Sequence, residues 1–160
     1  MMILIFEGYE GHEFTLVKEI RRTVFVESQG ADESAVFDDS DTNDDTRFAL
    51  VMKDETHAVA TGRITRCDKN YKLGRIAVLE SERGYGTGKK LVNALCREAK
   101  ECGARDILVD AQLHAVPFYE KLGFTPTGEK EKYDIGILHL PMRKELQWQR
   151  RIKAKASSSV

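Results

Sequence analysis

The chain has 160 residues, 41% of them hydrophobic and 32% charged, with a formal net charge of −1. That length suffices for one domain with its own core, and the composition suits a soluble globular protein. The near-neutral charge argues against a general nucleic-acid binder. No apolar stretch approaches the ~20 residues of a membrane span, and no basic region followed by a long apolar core marks a signal peptide.

In chain order, Met2 to Phe6 reads as an apolar strand. Phe14, Val17, Ile20 and Val24 recur at helical spacing and predict a helix over Phe14 to Val26. Seven acidic residues and no basic one follow between Asp32 and Asp45, a loop with room for a short helix. The run lacks the position-six glycine and position-twelve glutamate of a calcium-binding EF-hand loop. Phe48 to Met52 and His57 to Thr65, separated by Asp54-Glu55, predict a hairpin. Leu73 to Leu79 is the next strand. Thr87 to Cys102 is the clearest helix, with Leu91, Leu95, Ala99 and Cys102 on one face and Gly103 at its end.

Arg105 to Asp110 carries Ile107, Leu108 and Val109, a short strand of the buried type. His114 to Leu122 forms a helix with Pro117 in its first turn, where proline is tolerated. Phe124 to Gly128 and Ile135 to Pro141 complete the strands. Residues 1–143 thus read as one domain, a mixed sheet with helices on its faces, and residues 144–160 as a basic tail in which Trp148 and Ile152 share one helix face. Cys67, Cys96 and Cys102 are odd in number and lack C-x-x-C spacing, so they read as reduced packing thiols of a cytoplasmic protein. No cluster of ligating residues points to a metal.

The most informative segment is Arg83-Gly84-Tyr85-Gly86-Thr87-Gly88-Lys89, between the Ile76-Ala77-Val78-Leu79 run and the start of a helix. Glycines let backbone approach a ligand, and the unpaired N–H groups and dipole of a helix start favour an anion. A P-loop is excluded because Arg83 stands where its first glycine belongs and Lys90 where its Ser or Thr belongs. The G-x-G-x-x-G fingerprint fails too: its third glycine would fall on Lys89 or Leu91.

Arg83-x-x-Gly86-x-Gly88 resembles the R/Q-x-x-G-x-G/A acyl-CoA loop of the GNAT superfamily of N-acetyltransferases. Gln112-Leu113-His114-Ala115-Val116-Pro117-Phe118-Tyr119-Glu120-Lys121-Leu122-Gly123-Phe124 is similar to that family's second signature, with Gln112 where Asn is usual. Asp134-x-Gly136-Ile137-x-His139 and Arg22-x-Val24-Phe25-Val26 resemble the ElaA-like branch. The resemblance implies an α/β (α+β) fold: a mixed, mostly antiparallel central sheet of about six to seven strands with helices on both faces. It implies transfer of an acetyl group from acetyl-CoA to a primary amine by direct attack, through a tetrahedral intermediate, with no metal. A different class of function, a non-catalytic acyl-CoA-binding module, stays open because of Gln112.

Carried over residue by residue, the resemblance implies cofactor contacts from Ile76, Ala77 and Val78 on the strand and from Arg83, Gly84, Tyr85, Gly86, Thr87, Gly88 and Lys89 on the loop. Gln112 and Phe118 join them. Tyr119 aligns with the family's general acid. For the base, His139 on the last strand is the candidate, with Asp134 as its partner; Glu27 is weaker. A backbone N–H near Val78 would serve the oxyanion. The acceptor stays open among small amines, amino acids, aminosugars, antibiotics and protein lysines, and so does a homodimer; no membrane or nucleic-acid partner is expected. The acidic run would border the acceptor cleft and draw in a cationic amine.

Overall fold

The structure, a computed structural model, describes residues 1–146. Strand β1 spans Met2–Glu7. Helix α1 (His12–Arg21) runs without a break into a π-helical stretch, Arg22–Ser28. The acidic run then folds as α2 (Glu33–Val36) and a 3-10 turn, Asp39–Thr42. Its aspartates start those turns: Asp32 accepts from the Ser34 N–H and Asp38 from the Ser40 N–H. Strands β2 (Arg47–Met52), β3 (Ala58–Cys67) and β4 (Asn70–Val78) form a meander. Next come α3 (Thr87–Glu101), β5 (Asp106–Gln112), α4 (Val116–Lys121), β6 (Thr125–Pro126), β7 (Lys132–Asp134) and β8 (Ile137–Glu145).

All eight strands of the described residues join one sheet in the order β1-β2-β3-β4-β5-β8-β6, with β7 also on β8. Among these strands β4 and β5 pair in parallel and the other pairs are antiparallel. The architecture is the mixed, mostly antiparallel sheet predicted, with one strand more. The strand expected over Ile135 to Pro141 starts at Ile137 instead, as the second arm of a hairpin: Ile135 (φ 48) and Gly136 (φ 76) make the turn between β7 and β8. Periodicity missed it because Ile135 is buried although it sits in a turn. Pairing of β8 extends to Glu145, opposite Asp106, and Leu146 is buried, so the sheet runs past the boundary placed at residue 143. Trp148 and Ile152 lie outside the described residues.

Strand β2 shows how the sheet is covered. Ala49 and Val51 pack with Leu91, Leu95 and Ala99 of α3. Phe48, Leu50 and Met52 pack with Phe14, Val17 and Ile20 of α1. Side chains alternate across a strand, so α1 and α3 cover opposite faces. Gly62 on β3 lies under α3: a Cβ there would stand 2.5 Å from Ile76 Cδ1 and 2.9 Å from Leu95 Cδ1.

Candidate active site

The site begins at a flaw in the sheet. Thr61 of β3 pairs with Ala77 of β4, but Arg63 pairs with Gly74, so β4 carries one extra residue. Arg75 sits in this bulge with φ 50, a conformation that costs a non-glycine residue energy and needs support from its surroundings. The bulge bends β4 away from β5. The two pair only over Tyr71–Leu73 and Ile107–Val109. Beyond Leu73 they diverge, and the β5-facing edge of β4 has no strand partner among the described residues.

The peptide geometry fixes which groups line that open edge. Leu79 N–H donates to Val59 O, toward β3. Across the trans peptide Val78 O therefore faces away from β3, and with it the Val78 N–H. Arg83 Nε donates to Val78 O at 3.0 Å, tying the loop to the strand end. Gly84 and Gly86 both take positive φ, 87 and 79, which lets the chain turn from β4 into α3. Gly86 caps α3 with no side chain, and the first bond of the helix is Lys90 N–H to Gly86 O. The N–H groups of Thr87, Gly88 and Lys89 are thus left for another partner. Thr87 Oγ1 is buried and has no hydrogen-bond partner either. Each of these orphans suits an anionic group at the helix start.

A cavity of about 930 Å³ runs from this loop, along the gap between β4 and β5, to the far side of the sheet. It is lined by Ile76, Ala77, Val78, Arg83, Gly84, Gly86, Thr87, Gly88, Lys89, Gln112, Phe118, Tyr119, Asp134 and His139. Tyr85 is the exception. It is 75% exposed and not part of the wall, because the glycines on either side turn its side chain outward.

Tyr119 is held edge-on between Phe118 and Phe124, at centroid distances of 5.0 and 5.4 Å. Burial, with Cys96 nearby, pushes the phenol well above its ordinary value, so it keeps its proton at neutral pH. Burial likewise pushes the Cys96 thiol up to about 11, which leaves it unsuited to nucleophilic work. His139 faces Gln112 across β5–β8 and Lys132 across β7–β8. Its Nδ1 lies 2.7 Å from Ile137 O. A carbonyl only accepts, so Nδ1 carries a proton, and Nε2 is the ring atom left to meet another partner. Asp134 does not partner His139, contrary to expectation. Its carboxylate accepts from Arg75 Nη1 at 3.0 Å. Glu27 is exposed and not on the cavity wall.

The acidic run also differs from the sequence reading. Asp41 takes two bonds from Arg21, at 2.6 and 2.9 Å, and one from Arg63 at 2.8 Å. Asp38 takes bonds from Arg63 at 2.7 and 3.0 Å and from Arg75 at 3.0 Å. Burial opposes ionisation of Asp38, but Arg63 and Arg75 outweigh it and hold the carboxyl below its usual range. Arg75 also donates to Val36 O and Ala35 O, which fastens α2 to the bulge. The aspartates nearest the cavity are therefore neutralised, while Asp39, Asp44 and Asp45 are off its wall. The arginines were missed because their partners lie more than 20 residues away in sequence for Arg63 and almost 60 for the Arg75–Asp134 pair. Gln29, which exchanges two hydrogen bonds with Gln112 at 3.0 and 3.1 Å, was missed for want of any local signal.

The comparisons agree with this geometry. A family model described as an acetyltransferase (GNAT) domain matches residues 23–146. YjcF of Bacillus subtilis, named an uncharacterized N-acetyltransferase, is 36% identical over 126 residues, 79% of this chain and 88% of that one. Protein ElaA of Escherichia coli is 30% identical over 132 residues, 80% of this chain and 84% of its own. Its crystal structure superposes with a TM-score of 0.80 over 91% of this chain and all of that one, at 24% identity in the structural pairing. An aminoglycoside 6'-N-acetyltransferase solved with coenzyme A has a TM-score of 0.71 and 18% identity, covering 93% of this chain and 99% of that one, a likeness of fold. The chain belongs to the GNAT acetyltransferase family, and its described fold is an acetyltransferase domain of that family.

Proposed function

We propose that the protein moves an acetyl group from acetyl-CoA to a primary amine by direct attack. The reading is carried by one observation: the open edge of β4 runs straight into the unpaired N–H groups of α3 inside a cavity that Tyr119 also lines. The pyrophosphate would take the amides of Thr87, Gly88 and Lys89 and the Thr87 hydroxyl, with Arg83 Nη groups and Lys89 adding charge. The pantetheine arm would add to the edge of β4 as a further strand, beside Ile76, Ala77 and Val78. Phe118 would pack against it. The coenzyme A bound to the fold relative supports this choice of donor.

In the chemical step the amine nitrogen bonds to the thioester carbonyl carbon, and the carbon–sulfur bond breaks. His139 Nε2 is suited to take the ammonium proton, directly or through water. The Val78 N–H is the donor for the oxyanion of the tetrahedral intermediate. The departing thiolate takes the Tyr119 proton, and the second proton that the nitrogen sheds as the amide forms returns to the Tyr119 oxygen through water, which leaves free CoA, the amide and a neutral Tyr119. Tyr119→Phe keeps the ring and removes that proton. We expect turnover to fall by about 100-fold or more while the affinity for CoA stays within twofold. Equal turnover in both forms, with chemistry limiting, would refute the acid role.

A further inference from the structure

The far half of the cavity is where the acceptor would lie, and its charge is the reverse of what the acidic run suggests. Arg63 and Arg75 are bound to Asp38 and Asp134, and these four ions leave no net charge on that wall. Glu82, Arg83 and Lys89 belong to the loop end of the cavity, so the other ions of this half, among the described residues, are Lys72, Lys132 and Asp110. Both ammonium groups converge on one carboxylate oxygen, Asp110 Oδ2, at 2.5 Å for Lys72 and 3.1 Å for Lys132. All three residues line the cavity. The lysines are half-exposed and the aspartate is mostly covered, so two cations with spare N–H donors face the open space over one sequestered anion.

Position adds to charge. Lys72 is the residue of β4 just before its last contact with β5, so it stands where the strands part. Lys132 lies directly opposite His139 on the β7–β8 ladder. Such cross-strand neighbours have Cβ atoms about 5 Å apart. A ligand oxyanion held by the two ammonium groups therefore sits beside the imidazole assigned as base.

We propose that the acceptor is a small amine that carries a carboxylate a few bonds from its amino group, and that Lys72 and Lys132 bind this carboxylate. The inference rests on the acetyltransferase reading and deepens it. The anion supplies a counter-charge that the pair lacks, since Asp110 offsets only one of the two lysines. Bound there, it orients the amine toward His139 and the gap in the sheet. An acceptor with a second cation in place of the carboxylate meets two ammonium groups instead, a like-charge contact that costs affinity.

The test compares matched acceptors with the full chain and acetyl-CoA: β-alanine against its carboxamide, glutamate against its diamide, and putrescine as a dication. Release of free CoA is followed at low and high salt. We expect the carboxylate member of each pair to have a kcat/KM on the order of tenfold higher, carried mainly by KM, and putrescine to be poorest. Salt should narrow the gap. In Lys132→Met, which keeps the Lys72–Asp110 pair, the carboxylate-to-carboxamide ratio should fall toward one, and Lys72→Met should behave alike. Thermal melts of both variants check that the fold is kept. Turnover in which a carboxamide or putrescine matches its carboxylate counterpart overturns this inference alone. A ratio unmoved by either lysine change overturns the assigned binding residues. No CoA release with any amine, from protein that still binds CoA, overturns the acetyltransferase reading and this inference with it.

Discussion

Asp41 is a sequence-remote anchor of the site, and its removal gives a measurable prediction. Its carboxylate accepts three charge-assisted bonds, two from Arg21 and one from Arg63. Arg21 is fully buried, with its guanidinium 5.5 to 5.9 Å from the ring centroids of Phe14, Phe37 and Phe48. Burial lowers the tendency of Arg21 to hold its proton, and Asp41 opposes this by hydrogen bond and charge. Asp41→Asn keeps the shape and removes the charge. Stranding one partner of a buried pair costs about 3–5 kcal/mol. For a chain of this size each kcal/mol moves Tm by roughly 2–4 °C, so the variant should melt on the order of 10 °C lower. Urea unfolding should lose the same free energy with an unchanged m value. Asp44→Asn, the same chemistry at an exposed position of the same run, should stay within about 0.5 kcal/mol. The double variant Arg21→Met with Asp41→Leu removes both charges and leaves Arg63 on Asp38, so it should recover most of the loss. A fall below about 1 kcal/mol in Asp41→Asn, or equal effects at Asp41 and Asp44, would refute the claim that the run is an anchored element.

Gly86 takes φ 79, which an L side chain with a branched Cβ adopts only under strain. Gly86→Val should raise the dissociation constant for CoA at least tenfold in calorimetry, by displacing the amides that follow it. Parent-like binding would disprove the loop assignment. Acid should destabilise the fold through Asp38 and Asp110. Burial raises both carboxyls, but Arg63 and Arg75 for the first, and Lys72 and Lys132 for the second, bring them below the ordinary carboxylate value. A depressed folded pKa gives stability that is complete above the unfolded value near 4 and is lost as pH falls through the folded one. Urea midpoints should therefore be flat from about pH 7 to 5 and fall below about pH 4, and a fall that sets in near pH 6 would contradict it.

What the sequence makes legible follows from locality. The strand, glycine turn and helix start at Ile76–Lys89 are contiguous, and each residue type has one backbone reason to be there, so the form of the loop could be read directly. The alternation of β2 and the 3.6 period of α3 have the same quality, because one buried face leaves a regular trace. The β7–β8 hairpin left a false trace, since Ile135 is apolar and buried yet occupies a left-handed turn position. The bulge at Arg75 left none. An arginine between Gly74 and Ile76 reads as an exposed strand residue. Its positive φ is stabilised by Val36 and Ala35 carbonyls and by Asp38 and Asp134, groups 37 to 59 residues distant.

That distance is also why charge counting along the chain gives the cleft a different sign from the one the ion pairs leave. A run of aspartates has a long-range field only if its counter-ions are solvent. Here Asp38 and Asp41 are held by Arg21, Arg63 and Arg75, which are spread along α1, β3 and β4. The same bonds serve the geometry of the site. Arg75 ties the acidic segment to the residue that bends β4, and the bend opens the gap between β4 and β5. Carboxylates that look like a substrate magnet in the sequence thus act in the fold as ligands for the arginine that opens the cleft. Once they are discounted, the balance in the acceptor half is set by Lys72 and Lys132 over Asp110, and its sign is positive.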